Sequence, residues 1–277
     1  MYEITKIISI NDLKLIFPVE NKIYAAQFCM YDRWPTFLAN TAQDGIIIDI
    51  GANVGDTVAW MYPSTKADFY CIEPDDKFYA LLQHNISNFP EELSKRIKIK
   101  KAFISNEPNK NHLLNSHDGT GHMIEVSEKT ETPSMTLVQA LKSDNISIDK
   151  VRIIKVDTDG YDWQCIMSLG DEALEVASPI LYWENQINDE NTYNGFLRLN
   201  NYLNQYKYDH FFIFDNFGNF MSYGGHDFYV DTNKYLMRML KYNTGRTAYY
   251  FDVVACKFEQ VPSIQKAVKM YLNNYPI

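Results

Sequence analysis

The chain has 277 residues, 46% of them hydrophobic and 22% charged, and a formal net charge of −9. That length and apolar content suffice for one large α/β domain, or one domain with a small addition. The negative balance excludes a chain-wide electrostatic footprint for nucleic acid, and no run of 18 apolar residues offers a membrane-spanning helix.

Residues 1–44 precede the first core strand and read as an N-terminal cap. Residues 4–17 alternate irregularly until Pro18, and residues 21–32 (NKIYAAQFCMYD) suit a short helix that stops near Trp34-Pro35. From Ile46 the pattern changes. In residues 46–50 (IIIDI) three β-branched residues run into Asp49, a short apolar stretch of the kind a strand buried on both faces requires. A helix follows from Thr57, then a strand over 67–73 ended by Pro74, a helix over 75–88 and a strand over 96–104. The basic run 95–101 (KRIKIKK) belongs to that third strand as a solvated face.

Residues 105–134 are polar and too long for an ordinary connection, so they read as an insertion with short strands. A helix over 136–142 leads to a strand over 151–156 (VRIIKV), a helix over 161–169 stopped by Gly170, and a strand over 179–183 that ends on Glu184. A helix over 193–206, a hairpin of 210–215 and 219–223 about Phe217-Gly218, and an antiparallel strand near the sheet edge over 248–257 complete the reading. Alternating strands and helices predict a mainly parallel sheet in a domain of residues 45–277. Cys29, Cys71, Cys165 and Cys256 form no C-x-x-C pair, and three lie in apolar runs. Buried reduced thiols and a cytoplasmic protein follow, with no basic-then-apolar leader at the start.

Three strands end on carboxylates, Asp49, Glu73 and Asp157, and Glu184 is a fourth candidate. In open α/β sheets ligands sit outside the carboxyl ends of the strands, so these side chains converge on one crevice. After the first strand comes Asp49-Ile50-Gly51-Ala52-Asn53-Val54-Gly55-Asp56. Gly51 permits a tight turn and close approach of a ligand. This is not the dinucleotide pattern G-x-G-x-x-G: Asn53 and Asp56 replace its second and third glycines, and Asp56 at a helix start repels a pyrophosphate. The turn suits a ligand without phosphate, such as S-adenosylmethionine. Glu73, 22 residues after Gly51 at the end of the next strand, is placed to accept both ribose hydroxyls.

The acidic block Lys155-Val156-Asp157-Thr158-Asp159-Gly160-Tyr161-Asp162 leaves three roles open: metal ligand, general base, or hydrogen-bonding to cofactor and substrate. Oxygen ligands suit magnesium or calcium, though Tyr161 stands where the calcium loop pattern needs a ligand. His117 and His122, in the glycine-flanked stretch HDGTGH, are candidate general bases on a closing loop. Asn185 and Gln186 follow Glu184 and are candidate amides over the substrate.

Four stretches, DIGANVGD, CIEPDDKFYALLQHNI, RIIKVDTDGYDWQCIMSLG and ILYWEN, resemble in order and spacing the FkbM-type S-adenosylmethionine-dependent methyltransferases. The family's third block reads K-[IV]-D-x-E-G-x-E; here Asp159 and Asp162 stand for its two glutamates, one methylene shorter. Val138, in TPSMTLVQAL, stands where an acidic residue is common. The resemblance implies a class I methyltransferase-like, Rossmann-like α/β fold: a seven-stranded, mostly parallel sheet with helices on both faces and the last strand antiparallel. It implies methyl transfer to an oxygen of a saccharide or other small hydroxylated acceptor. Asp49, Gly51, Asn53 and Gly55 would surround the methionine part of the cofactor, Glu73 its ribose and residues 101–103 its adenine. Asp157 and Asp159 would face the acceptor, which residues 1–44 and 190–277 would select. An NAD-dependent oxidoreductase and a non-catalytic binding relative in glycan assembly are the alternatives.

Overall fold

The computed structural model describes residues 5–19, 33–108, 110–117, 120–127, 130–242 and 248–275, and the side chains of 114–125 lie outside that description. The segment expected to be helical at 21–32 therefore falls outside the described residues, as does Cys29. Chain order begins with a hairpin of β1 (Thr5–Ile10) and β2 (Leu13–Pro18). Asn11 takes the left-handed conformation its turn needs, with φ 53°. The hairpin is fastened by Asn85, which accepts from the Ile16 amide at 2.8 Å and donates to the carbonyls of Ile16 and Val54.

The short helix α1 (Trp34–Ala39) leads into β3 (Ile46–Ile50), α2 (Asp56–Met61), β4 (Asp68–Ile72) and α3 (Asp76–Ser87). The third strand is shorter than its sequence suggests. β5 (Ile97–Lys100) stops, and the chain then leaves to pair β6 (Phe103–Ile104) with β9 (Ser134–Met135) in a small parallel sheet. Between them the polar insertion forms a hairpin of β7 (Asn111–His117) and β8 (Thr120–Val126).

The helix α4 (Leu137–Ser143), β10 (Val151–Val156), α5 (Asp162–Met167), β11 (Ile180–Gln186) and α6 (Glu190–Gln205) continue the alternation. Then come β12 (His210–Asp215), β13 (Phe220–Gly224), α7 (His226–Tyr242), β14 (Tyr250–Cys256) and α8 (Val261–Asn274). Sequence analysis leaves α7 and α8 unassigned.

The central sheet runs β13-β12-β14-β11-β10-β3-β4-β5. Pairing is parallel from β5 through β4, β3 and β10 to β11, and β14 is antiparallel to both β11 and β12. The α/β, class I methyltransferase-like architecture thus stands, with two corrections. Among the described residues the sheet has eight strands, not seven, because β13 pairs along β12 as an outer strand. The antiparallel strand β14 is internal, between β11 and β12, not near the edge. Its Val253, Val254, Ala255 and Cys256 are fully buried, as an internal position demands.

Apolar layers cover both faces. One holds Ile47, Phe69, Ile153, Tyr182 and Val254 with α1, α2, α3 and α8; the other holds Ile48, Tyr70, Ile154, Trp183 and Val253 with α4 to α7.

Candidate functional site

Strand register places the polar residues in two rows on one face of the sheet. In the inner row Asp49 is paired with Cys71 and Lys155, and Lys155 with Tyr182. One pleat further, at the carboxyl mouth, the row reads Glu73, Gly51, Asp157, Glu184 and Asp252. Backbone bonds from Glu73 to Lys100, Gly51 to Ile72 and Asp157 to Ile50 carry the ladder past the strand ends, and Glu184 is registered on Asp252. The expected convergence of Asp49, Glu73, Asp157 and Glu184 is therefore observed. Two details differ: Asp49 lies within β3, one pleat below the mouth, and β11 runs on to Gln186, so Glu184 lies within the strand rather than at its end.

Glu73, 5% exposed, is held by its neighbours' backbone. Its Oε2 accepts from the Asn53 amide and its Oε1 from the Asp75 amide, both at 2.9 Å. Burial pushes its carboxyl up to about 8 against the pull of those two amides. Each carboxylate oxygen can accept more than one hydrogen bond, so both keep room for a ligand hydroxyl.

The turn after β3 is built on left-handed residues: Gly51 at φ 81°, Asn53 at 48° and Gly55 at 90°. A Cβ on Gly51 would lie 1.9 Å from the Asp157 carbonyl oxygen. The glycine is thus required by the close approach of the loop after β10. Among the described residues two acceptors at this turn, Asp49 Oδ2 and Asn53 Oδ1, are buried with no donor in hydrogen-bonding geometry, although Thr57 lies close enough to help hold the Asp49 charge.

Lys155 is buried between two carboxylates, 3.1 Å from Asp49 Oδ1 and 3.3 Å from Asp157 Oδ2. Burial still leaves the Asp49 carboxyl above its ordinary value, with Lys155 opposing. Asp56, the first residue of α2, rises to about 6 for the same reason.

Sequence analysis gives Lys155 no role. A lysine in the inward register of VRIIKV, a strand made of Val and Ile apart from it and the outward Arg152, is the signal that marks it. Asp252, alone in the apolar strand YFDVVAC, carries a similar signal.

The acidic block divides into parts. Asp162, fully buried, closes the loop after β10 upon itself: Oδ2 accepts from Thr158 Oγ1 and the Gly160 amide, and Oδ1 from the Glu184 amide. Asp157 reaches the mouth with its side chain 42% exposed, and Asp159 sits in the turn at φ 52°. Among the described residues no group of three or more His, Cys, Asp or Glu is arranged to hold a metal ion, so the magnesium or calcium reading gains no support.

Glu184 is 9% exposed. Burial, then Asp157, Asp159, Asp162 and Asp252, hold its carboxyl well above the carboxylate range. The neighbouring amide expectation fails for Asn185, while Gln186, on the face of Glu184, donates to Asn188. Asn185 points to the opposite face, where its Oδ1 accepts from Tyr229 Oη at 2.6 Å and its Nδ2 donates to Asn233. The side chains of His117 and His122 lie outside the described residues.

Among the described residues no helix is long and apolar enough to cross a membrane. No curated protein matches the chain. Solved structures similar to it include a putative O-methyltransferase from Klebsiella pneumoniae (11% identity, 82% of this chain and 79% of that one, TM-score 0.45). The O-methyltransferase from Bacillus cereus in complex with SAH is another (11% identity, 82% and 80% coverage, TM-score 0.45). A third is precorrin-6y C5,15-methyltransferase from Geobacter metallireducens GS-15 (9% identity, 80% and 85% coverage, TM-score 0.42). Residues 49–209 match the methyltransferase FkbM domain. That span opens on Asp49, takes in Glu73, the acidic block and Glu184, and covers more than half of the chain. The protein belongs to the FkbM-domain methyltransferase family.

Proposed function

We propose that this methyltransferase uses S-adenosylmethionine as donor and a hydroxyl of a sugar-containing or other small molecule as acceptor. The observation that carries the donor reading is the polar layout of the mouth. Glu73 offers a carboxylate with room for two hydroxyls, and on the adjoining turn Asp49 Oδ2 and Asn53 Oδ1 are buried acceptors in need of donors. A ligand with a ribose diol at one end and an ammonium at the other answers both needs. When bound, S-adenosylmethionine supplies a methyl group activated by a sulfonium charge.

The protein's part is to orient and to manage protons. Glu73 takes the ribose diol. Asp49 and Asn53 take the ammonium, with Lys155 holding Asp49 in place. Gly51 and Gly55 shape the turn that presents them. Asp157 and Asp159, past the turn, face the acceptor. Asp56 at the start of α2 argues against a dinucleotide diphosphate there, and so against the oxidoreductase alternative.

Calorimetric titration with S-adenosylmethionine and S-adenosylhomocysteine, on wild type and Glu73→Ala, tests this. Micromolar binding of both compounds is expected, weakened at least about 30-fold in the variant by loss of charged hydrogen bonds. Absence of binding by the wild type overturns the reading and sends the protein to NAD titrations.

A further inference from the structure

One buried ammonium serves two carboxylates that the donor reading assigns to different ligands. Lys155 is registered on Asp49 across the pairing of β10 with β3. It also stands two residues before Asp157 on its own strand, so all three side chains share one face of the sheet. Its Nζ lies 3.1 Å from Asp49 Oδ1 and 3.3 Å from Asp157 Oδ2. The side chains of Lys155 and Asp49 are buried, whereas that of Asp157 opens to the mouth. The two ion pairs therefore run from the floor of the cleft to its rim through a single lysine.

The backbone around these pairs is fixed. The Asp157 amide donates to the Ile50 carbonyl at 2.9 Å, and the Asp157 carbonyl lies hard against Gly51. A change of charge at Asp49 is therefore answered by side chains, and Lys155, a point charge on a flexible stem, is the one able to answer. Among the described residues Asp49 Oδ2 has no donor in hydrogen-bonding geometry. A ligand ammonium seated there puts a second cation on a carboxylate that already holds Lys155. Two like charges on one buried carboxylate repel, and the relief within reach of Lys155 is Asp157.

We propose that Lys155 is a positioning residue that couples the donor pocket to the acceptor pocket: the ammonium of the bound donor displaces it from Asp49 toward Asp157, which it then holds in place for the acceptor hydroxyl. This rests on the donor reading above. Coupling of this kind is reciprocal. Removing the charge of Asp157 leaves Lys155 on Asp49, in competition with the ligand ammonium, and so weakens donor and product alike. The consequence is an order of events. The acceptor meets a finished site only once the amino-acid end of the donor is seated.

The test is calorimetry of the full chain with S-adenosylhomocysteine and with methylthioadenosine, which keeps the adenosine and the thioether but lacks the amino-acid tail. Wild type, Asp157→Asn, Lys155→Met and the double variant are compared. Asp157→Asn is expected to weaken S-adenosylhomocysteine at least about fivefold and to leave methylthioadenosine within about twofold. With Lys155→Met already in place, the same substitution should change S-adenosylhomocysteine affinity by less than about twofold, because the relay is gone. A loss of equal size with and without Lys155 means that Asp157 attracts the ammonium directly, and it overturns the proposal. So does a loss shared equally by methylthioadenosine, or no loss at all in Asp157→Asn. Should Lys155→Met fail to fold, for want of the cation between two carboxylates, the crystal structure of wild type with S-adenosylhomocysteine decides. Lys155 Nζ should then lie within about 3 Å of Asp157 and beyond about 4 Å from Asp49; contact with both carboxylates overturns the proposal. Binding of neither compound by wild type overturns the donor reading, and the proposal falls with it.

Discussion

Glu73 pays twice for its position, once in burial and once in the charge of its neighbours, and the two amides that hold it do not cancel the burial. Its carboxyl stands near 8 when folded and near 4.5 when unfolded, so between those values the folded protein holds the extra proton. Stability of the ligand-free protein therefore falls as pH rises through that window. Urea denaturation at a series of pH values should show the decline, and Glu73→Gln should reduce its slope by up to about 1.4 kcal/mol per pH unit. The variant begins from lower stability, because its amide group must turn an N–H toward the Asn53 or Asp75 N–H. An unchanged slope would place the Glu73 carboxylate in its ordinary range.

The two glycines of the turn can be ranked the same way. Gly51→Ala meets both φ 81° and the Asp157 carbonyl at 1.9 Å, whereas Gly55→Ala meets φ 90° but only the Leu82 Cδ1 at 3.0 Å. Costs of about 3 kcal/mol or more for the first and about 1–2 kcal/mol for the second are expected from urea midpoints.

Among the elements, the N-terminal hairpin depends on one side chain outside itself. Asn85, on α3, makes three bonds to the carbonyls and amide of Ile16 and Val54. Asn85→Ala leaves those groups buried and unpaired, so a loss of about 2–4 kcal/mol and faster proteolysis within residues 5–19 are expected; protection equal to wild type would show that apolar packing alone holds the hairpin. The hairpin also illustrates what the sequence hides. Ile8 and Ile10 face inward, but Ile7 just before them is an exposed apolar residue at 69%, which spoils the alternation that marks a strand. Helix α7 is obscured differently: its inward positions are Tyr229, Asn233 and Leu236, and the polar Asn233 in that stripe exists to meet Asn185. By contrast β3, β10 and β11 are buried on both faces, and their mostly apolar sequences, IIIDI, VRIIKV and ILYWENQ, declare that directly. Asp49, Glu73, Asp157 and Glu184 were legible because a carboxylate ending such a run has few places to go. Lys155 and Asp252 were not, since their meaning comes from the strands beside them.

For the whole molecule the decisive feature is the place of β14. A strand's own residues state that it is buried, not which strands it separates, so its internal position was out of reach of pattern reasoning. It joins β11 to β12 and carries Asp252 to Glu184. A chain ending at residue 249 loses that bridge, and with it the continuity of the sheet. It should give no cooperative urea transition, and a cooperative transition in such a chain would mean that β12 and β13 are dispensable to the core.

During synthesis the same arrangement acts as a clock. The edges of β11 and β12 stay open until residues 250–256 have cleared the ribosome, and an open edge is a template for pairing with any neighbouring chain. The nascent protein thus spends the making of its last strand as its most aggregation-prone form, and expression that slows elongation late in the message, or chaperones that shield strand edges, should matter more to its yield than anything done to its first half.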